Sequence, residues 1–201
     1  MSQFNEEYYL MDIDGADNHP LLTWGDTDYD PFIFPKPIEE EELELPLKIW
    51  FSPPYPKNPE IADILFLNGD LAMSGKVKSV FETMNIYGVQ FFPAEIITNK
   101  KKVIEGHYVF HHWNSIPAVD KNNYIGSPVT DKGRIDSLQK FSLDKKVLDA
   151  IPLEKRLVFH LAESTSERLI HKSVYDAIIS EKLTGFSFCR VADWDSNAML
   201  G

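Results

Sequence analysis

Three aspartates at alternating positions, Asp26, Asp28 and Asp30, match the opening of a calcium-binding loop. Such a loop needs glycine at its sixth position for the turn and glutamate at its twelfth as bidentate ligand. Pro31 and Pro37 stand there, so the motif fails. Asp12, Asp14 and Asp17 put a glycine at the fourth position and fail likewise. His107, His111 and His112 form the chain's histidine cluster. On a strand, His107 and His111 share a face about 13 Å apart at roughly 3.3 Å per residue, too far for one metal ion without ligands from elsewhere. The single cysteine, Cys189, permits neither a zinc motif of paired cysteines nor an internal disulfide. Its place in the alternating FSFCRV reads as a packed, reduced thiol of a cytoplasmic protein. No G-x-S-x-G elbow exists, and Gly69, Gly75 and Gly88 lack the Gly-Lys-Ser/Thr of a phosphate loop. No catalytic residue, metal or cofactor is assigned, and the 31 Asp and Glu are too many to single out a catalytic pair.

The distribution of charge is more informative than its total of −11. Residues 1–72 hold 16 acidic groups against Lys36, Lys48 and Lys57, a net of −13, whereas the other 129 residues hold 15 acidic and 17 basic groups, a net of +2. The negative field therefore belongs to the front third. It repels nucleic acid and anionic lipid and speeds encounter with a basic protein. Nine of the 13 prolines also lie between Pro20 and Pro59, and proline at that density fixes extended backbone and removes ladder donors. The candidate partner-binding residues are the carboxylates and aromatics of this stiffened stretch: Trp24, Asp26, Asp28, Tyr29, Asp30, Phe32, Phe34, Glu39, Glu40, Glu41, Glu42, Glu44 and Trp50. Aromatic anchors inside a charged rim suit a tight protein interface, and stiff loops lose less entropy on binding. Taken alone, the run Glu39 to Glu44 also reads as a solubilising surface.

The scaffold that positions these groups is written around Ser74 to Ala94, SGKVKSVFETMNIYGVQFFPA. Slid forward by 97 positions it meets His171 to Val191, HKSVYDAIISEKLTGFSFCRV, with apolar pattern and glycine in register. Val77, Phe81, Gly88 and Phe91 fall on Val174, Ile178, Gly185 and Phe188. An offset of 94 gives better identity, KSVFE over KSVYD, but its glycines miss by three. Each copy predicts a helix, a glycine stop and a half-buried strand. Elsewhere YYLMDI reads as a strand with LLTW returning on it, and Leu47 to Phe51 as a short strand in an irregular region. Asp63 to Leu67 runs into an Asn68-Gly69 turn, and GHYVFHHW alternates as a strand. Residues 114–134 read as a long loop, followed by strands at Ile135 to Phe141 and Leu157 to Leu161. Ser164 and Glu167 spell a capping box that would start the second helix early. The fold class is α+β, with a mostly antiparallel or mixed sheet, few helices and this internal duplication. Its expected parts are an acidic, proline-rich region at 1–62 packed on a main domain at 63–201 that holds both copies, 74–94 and 171–191. At 201 residues and 43% apolar the chain can bury a real core. MSQFNEEYYL has no basic region followed by an apolar run, and no 18 consecutive apolar residues occur, so neither signal peptide nor membrane span is expected.

From Asp63 onward the chain resembles a bacterial family, formerly a domain of unknown function and now immunity protein family eleven of polymorphic toxin systems. The residues that carry the resemblance are the unit at Ser74 to Phe92, HYVFHHWNSIPAVD with Tyr108 and Asp120, GRIDSLQKFSLDKKVLDAIPLEKRLVFHLAE, and LIHKSVYDAIISEKLTGFSF. The opening YYLMDIDGADNHPLLTW is similar to the family's start. The resemblance implies a cytoplasmic, non-enzymatic antidote that binds a cognate secreted antibacterial toxin, and it carries over no catalytic residue. The acidic front suits a basic toxin domain, such as a nuclease, with neither nucleic acid nor membrane as a direct partner and no oligomeric state indicated. The alternatives are an enzyme of unknown reaction using the His107 to His112 strand, and a structural protein that self-associates through sheet edges.

Overall fold

The computed structural model describes residues 2–24, 36–164 and 166–196. The chain begins with a short helix, α1 (Phe4–Glu7), then β1 (Tyr8–Ile13), β2 (Leu21–Thr23) and β3 (Leu47–Ser52). A hairpin of β4 (Ile64–Leu67) and β5 (Asp70–Ser74) runs without a gap into α2 (Gly75–Thr83), followed by β6 (Val89–Ile97) and β7 (Val103–His112). Next come β8 (Ser115–Ile116), β9 (Val119–Gly126), β10 (Leu138–Leu143) and α3 (Lys145–Asp149). A second hairpin, β11 (Val158–Leu161) and β12 (Arg168–His171), leads into α4 (Lys172–Ser180) and β13 (Phe186–Arg190). The result is α+β with mixed sheets: a closed barrel ordered β2-β3-β6-β7-β5-β4, a five-stranded sheet ordered β13-β1-β12-β11-β8, and the pair β10-β9.

The offset of 97 holds in three dimensions. Helices α2 and α4 begin and end at equivalent positions and bury equivalent pairs, Val77 with Phe81 and Val174 with Ile178, one helical turn apart. Past each helix the chain turns through a left-handed residue, Asn85 (φ 50°) or Lys182 (φ 55°), and a glycine, Gly88 (φ 80°) or Gly185 (φ 85°). Ile86 N–H donates to the Phe81 carbonyl and Leu183 N–H to the Ile178 carbonyl, both at 3.2 Å. These turns need the glycine in register, and that selects 97 over 94.

The strands around each helix repeat as well. In the barrel β7 lies between β5 and β6, antiparallel to both, and in the sheet β1 lies between β12 and β13 in the same way. Tyr108 faces Met73 as Tyr9 faces Ile170, and Phe110 faces Phe91 as Met11 faces Phe188. One unit therefore takes its middle strand from the chain that follows it, and the other takes it from the chain's beginning.

That arrangement overturns the expected hairpin of YYLMDI with LLTW. Both edges of β1 are occupied by β12 and β13, so β2 pairs with β3 and β4 in the barrel instead. Residues 1–62 thus supply strands to both sheets. The capping-box reading of Ser164 and Glu167 also fails, because Glu167 N–H closes a turn onto the Ser164 carbonyl (3.4 Å). The apolar Leu169 and Ile170 that follow are buried on opposite faces of β12, and the helix starts only at Lys172. The expected loop at 114–134 contains β8 and β9. The second of these is mostly exposed, so no alternation of apolar residues announces it.

Alternation along the strands divides the interior into three cores. Inside the barrel lie Leu22, Ile49, Ala72, Phe92, Ile96 and Val109. Between barrel and sheet both helices meet Met73, Phe110, Met11 and Ile170. The far face of the sheet packs Tyr8, Phe159 and Leu169 against β10 and α3.

Candidate functional site

The acidic run is held at one end of the barrel by two inward-pointing side chains. Gln90 on β6 and His111 on β7 are register partners. Gln90 accepts from the Ile38 N–H (3.0 Å) and donates from Nε2 to the Ile38 carbonyl (2.8 Å), so its amide pairs with main chain as a strand would. His111 donates from Nε2 to the Lys36 carbonyl (2.7 Å). Ile38, buried, plugs the barrel core between them. The chain then runs extended through Glu39 into a single 3-10 turn, Glu40–Glu42, and Leu43 and Leu45 pack back onto the core. This strap leaves Glu39, Glu40, Glu41, Glu42 and Glu44 exposed in a row on a pinned backbone.

Beside the strap is a groove of about 410 Å³, lined by Glu40, by Lys78, Phe81, Glu82, Asn85 and Ile86 from α2 and its end, and by Val89 to Phe92. Lys78 is engaged with Glu82 at 2.8 Å and lies over the Tyr108 ring. The hydrogen bond to Glu82 raises its pKa. Trp113, half-buried, packs its ring on His111 with centroids 5.5 Å apart. It supplies an aromatic group beside His111 that composition of the front third could not indicate. Its signal was positional: in the alternating strand it stands two residues beyond His111, on the same face.

The sequence-derived candidates do not form one patch. Asp26, Asp28, Tyr29, Asp30, Phe32 and Phe34 lie outside the described residues. Trp24 is 8% exposed within the barrel core, so its ring serves the fold and presents no anchor. Trp50, half-buried, is register partner to Thr23 and Ile97. It therefore sits seven residues along β6 from Gln90, about 23 Å at the strand's rise. Of the candidates among the described residues, only the Glu39 to Glu44 carboxylates lie together.

The histidines separate onto two faces of β7. His107 and His111 share the barrel side, as expected, while His112 turns toward the sheet and stacks on His160 with centroids 4.4 Å apart. Burial drives the His112 pKa well below its ordinary value, assisted by the like charges of His160 and Arg168, and the Val158 carbonyl opposes this without prevailing. Burial likewise lowers His107. Among the described residues no group of three or more His, Cys, Asp or Glu is placed to share a metal ion. Cys189 is partly buried and its thiol is pushed up by burial and by Asp193. No helix among the described residues is long and apolar enough to cross a membrane.

Fold and surface together define a class: a mixed α+β scaffold with a repeated strand-helix-strand unit, carrying a carboxylate row on a pinned strap. The model of the Immunity protein family (Imm11) matches residues 4–193, and the chain belongs to that family. Comparison with curated proteins finds no match.

Proposed function

We propose that this protein is the antidote of a polymorphic toxin pair, which binds a cognate secreted antibacterial toxin domain inside the cytoplasm and blocks it by occupation, with no bond made or broken. Strands from both 1–62 and 63–201 build the scaffold, and the strap within residues 1–62 carries the acidic part of recognition. The observation that carries this reading is the strap: five exposed carboxylates on a backbone fixed by Gln90, His111 and the Ile38 plug. A fixed acidic row steers a basic surface into encounter and loses little entropy on docking. The toxin it suits presents a basic cleft, as enzymes acting on nucleic acid do.

The test measures association and dissociation of the toxin domain encoded beside this gene across a salt series. Neutralising Glu39, Glu40, Glu41 and Glu42 to glutamine is expected to slow association by roughly tenfold at low salt while dissociation changes little. Association that is unchanged in the quadruple variant would discard the electrostatic reading.

A further inference from the structure

Where β6 leaves Gly88, its outer edge has no strand beside it among the described residues. Trp113 N–H donates to the Gly88 carbonyl at 3.0 Å. This sets the phase of the antiparallel ladder: Gly88, Gln90 and Phe92 turn their main-chain groups toward β7, and Val89 and Phe91 turn theirs away. On that outer side β3 pairs only with Ala94 to Ile97. Nearer the helix the adjacent chain is the strap, joined to β6 through the Gln90 side chain and not through a ladder. The groove described above touches four successive residues, Val89 to Phe92. Successive side chains leave a strand on opposite faces, so a groove reaches all four only along the edge.

The same edge is open in the second unit. Val191 N–H donates to the Tyr8 carbonyl and Asp14 N–H to the Gly185 carbonyl, so Phe186 and Phe188 turn their main-chain groups outward from β13. No described strand pairs there. The two edges differ in chemistry. Arg190 beside the second is paired with Glu6 and Asp193, whereas the first is walled by Glu40 and the strap, and its lysine, Lys78, is already engaged with Glu82.

We infer that the β6 edge takes an extended, basic segment of the toxin by strand addition. Three or four residues, about 10 Å of strand, pair with the main chain of Val89 and Phe91. Alternate residues of the segment are apolar and lie against Phe91 and Ile86. Those between them are lysine or arginine and turn to the strap carboxylates. The inference rests on the toxin-binding reading and adds which part of the partner is read and how.

The full chain is tested by amide hydrogen exchange with a short acetylated peptide of alternating valine and lysine, and with the same peptide methylated on every second amide nitrogen. The unmethylated peptide is expected to slow exchange at Val89 and Phe91 by at least about tenfold and to leave Phe186 and Phe188 unchanged. Methylation of the pairing amides abolishes this, and Glu40→Gln weakens binding without moving the protected positions. Protection at Phe186 and Phe188 instead, equal binding by the methylated peptide, binding without protection, or no binding overturns strand addition. A toxin complex that keeps its dependence on salt and on Glu39 to Glu42, with Val89 and Phe91 unprotected, would leave the acidic reading standing and remove this one alone.

Discussion

Gly185 and Gly15 both hold positive φ, 85° and 65°, yet their surroundings differ. A Cβ on Gly185 would stand 2.6 Å from the Ile64 carbonyl oxygen and 2.7 Å from the Ala62 Cβ, while one on Gly15 would meet nothing within 4 Å. Left-handed backbone alone costs an alanine about 1–2 kcal/mol. Gly15→Ala should lose about that much. Gly185→Ala must also push main chain aside and should lose roughly 3–5 kcal/mol, near the top of what single substitutions do. Urea unfolding of the two variants measures the difference, and equal losses would show that β4 yields freely to the second unit. The close approach there is fixed by Asp63. Its carboxylate accepts from the Ser74 hydroxyl at 2.7 Å and from the Thr184 N–H at 2.9 Å, joining the start of α2 to the turn after α4. Burial alone would raise the pKa of Asp63, but the bonds from Ser74 and Thr184, with the charge of Lys76, outweigh it and the net shift is downward.

At the scale of elements, the strap separates two contributions to binding that its carboxylates alone would confound. Gln90→Ala leaves the Ile38 N–H and carbonyl without the amide that now pairs them, and loosens the plug. The expected cost is about 1–3 kcal/mol in unfolding, that of unpaired buried main-chain groups. The carboxylates keep their charge, so steering of the toxin persists and association stays near wild type. Dissociation quickens, because the strap must now be ordered on binding. Slowed association in Gln90→Ala would mean that position along the strap, and not charge, sets the encounter. The strap also shows what the sequence can and cannot announce. Both helix-glycine-strand units were legible, since Val77, Phe81 and Gly88 recur at one offset and local rules decide them. The turn that ends β4 was legible from Asn68-Gly69, whose φ values of 45° and 96° are those a tight turn requires, while the returning strand β5 was not. The partners of β1 were not legible, because a central strand's neighbours come from residues 168–190 and nothing local names them. Nor was the split of the candidate site: Trp24 and Trp50 sit on the stretch that bears the acids, but barrel closure buries one and carries the other to the far end.

For the molecule as a whole, the core between barrel and sheet is where acid should act. His112 and His160 meet there, one from each half, and Arg168, His111 and the Val158 carbonyl are the other groups that act on the His112 ring. Its folded pKa is depressed, first by burial, as are those of His107 and His171. Below the ordinary value of about 6.5 the unfolded chain takes up protons that the folded one refuses, so stability is full above that pH and falls as pH drops toward the folded pKa values. Each proton bound by the unfolded state alone contributes a slope of about 1.4 kcal/mol per pH unit. Asp63 belongs to a separate window: its folded pKa lies below 3.8, and its contribution is lost only as pH falls beneath that. Glu163, whose pKa burial raises above its ordinary value of 4.5, acts with the opposite sign. The histidine effect is read between about pH 6.5 and 5.5 as the difference between wild type and a variant that keeps Glu163, so that the Glu163 contribution cancels. His112→Phe keeps a flat ring against His160 and removes the titration. Across that window its unfolding free energy from urea titration should fall less steeply than that of the wild type, by up to about 1.4 kcal/mol per pH unit. Parallel curves for the two proteins would show that the junction between the halves is not what acid opens.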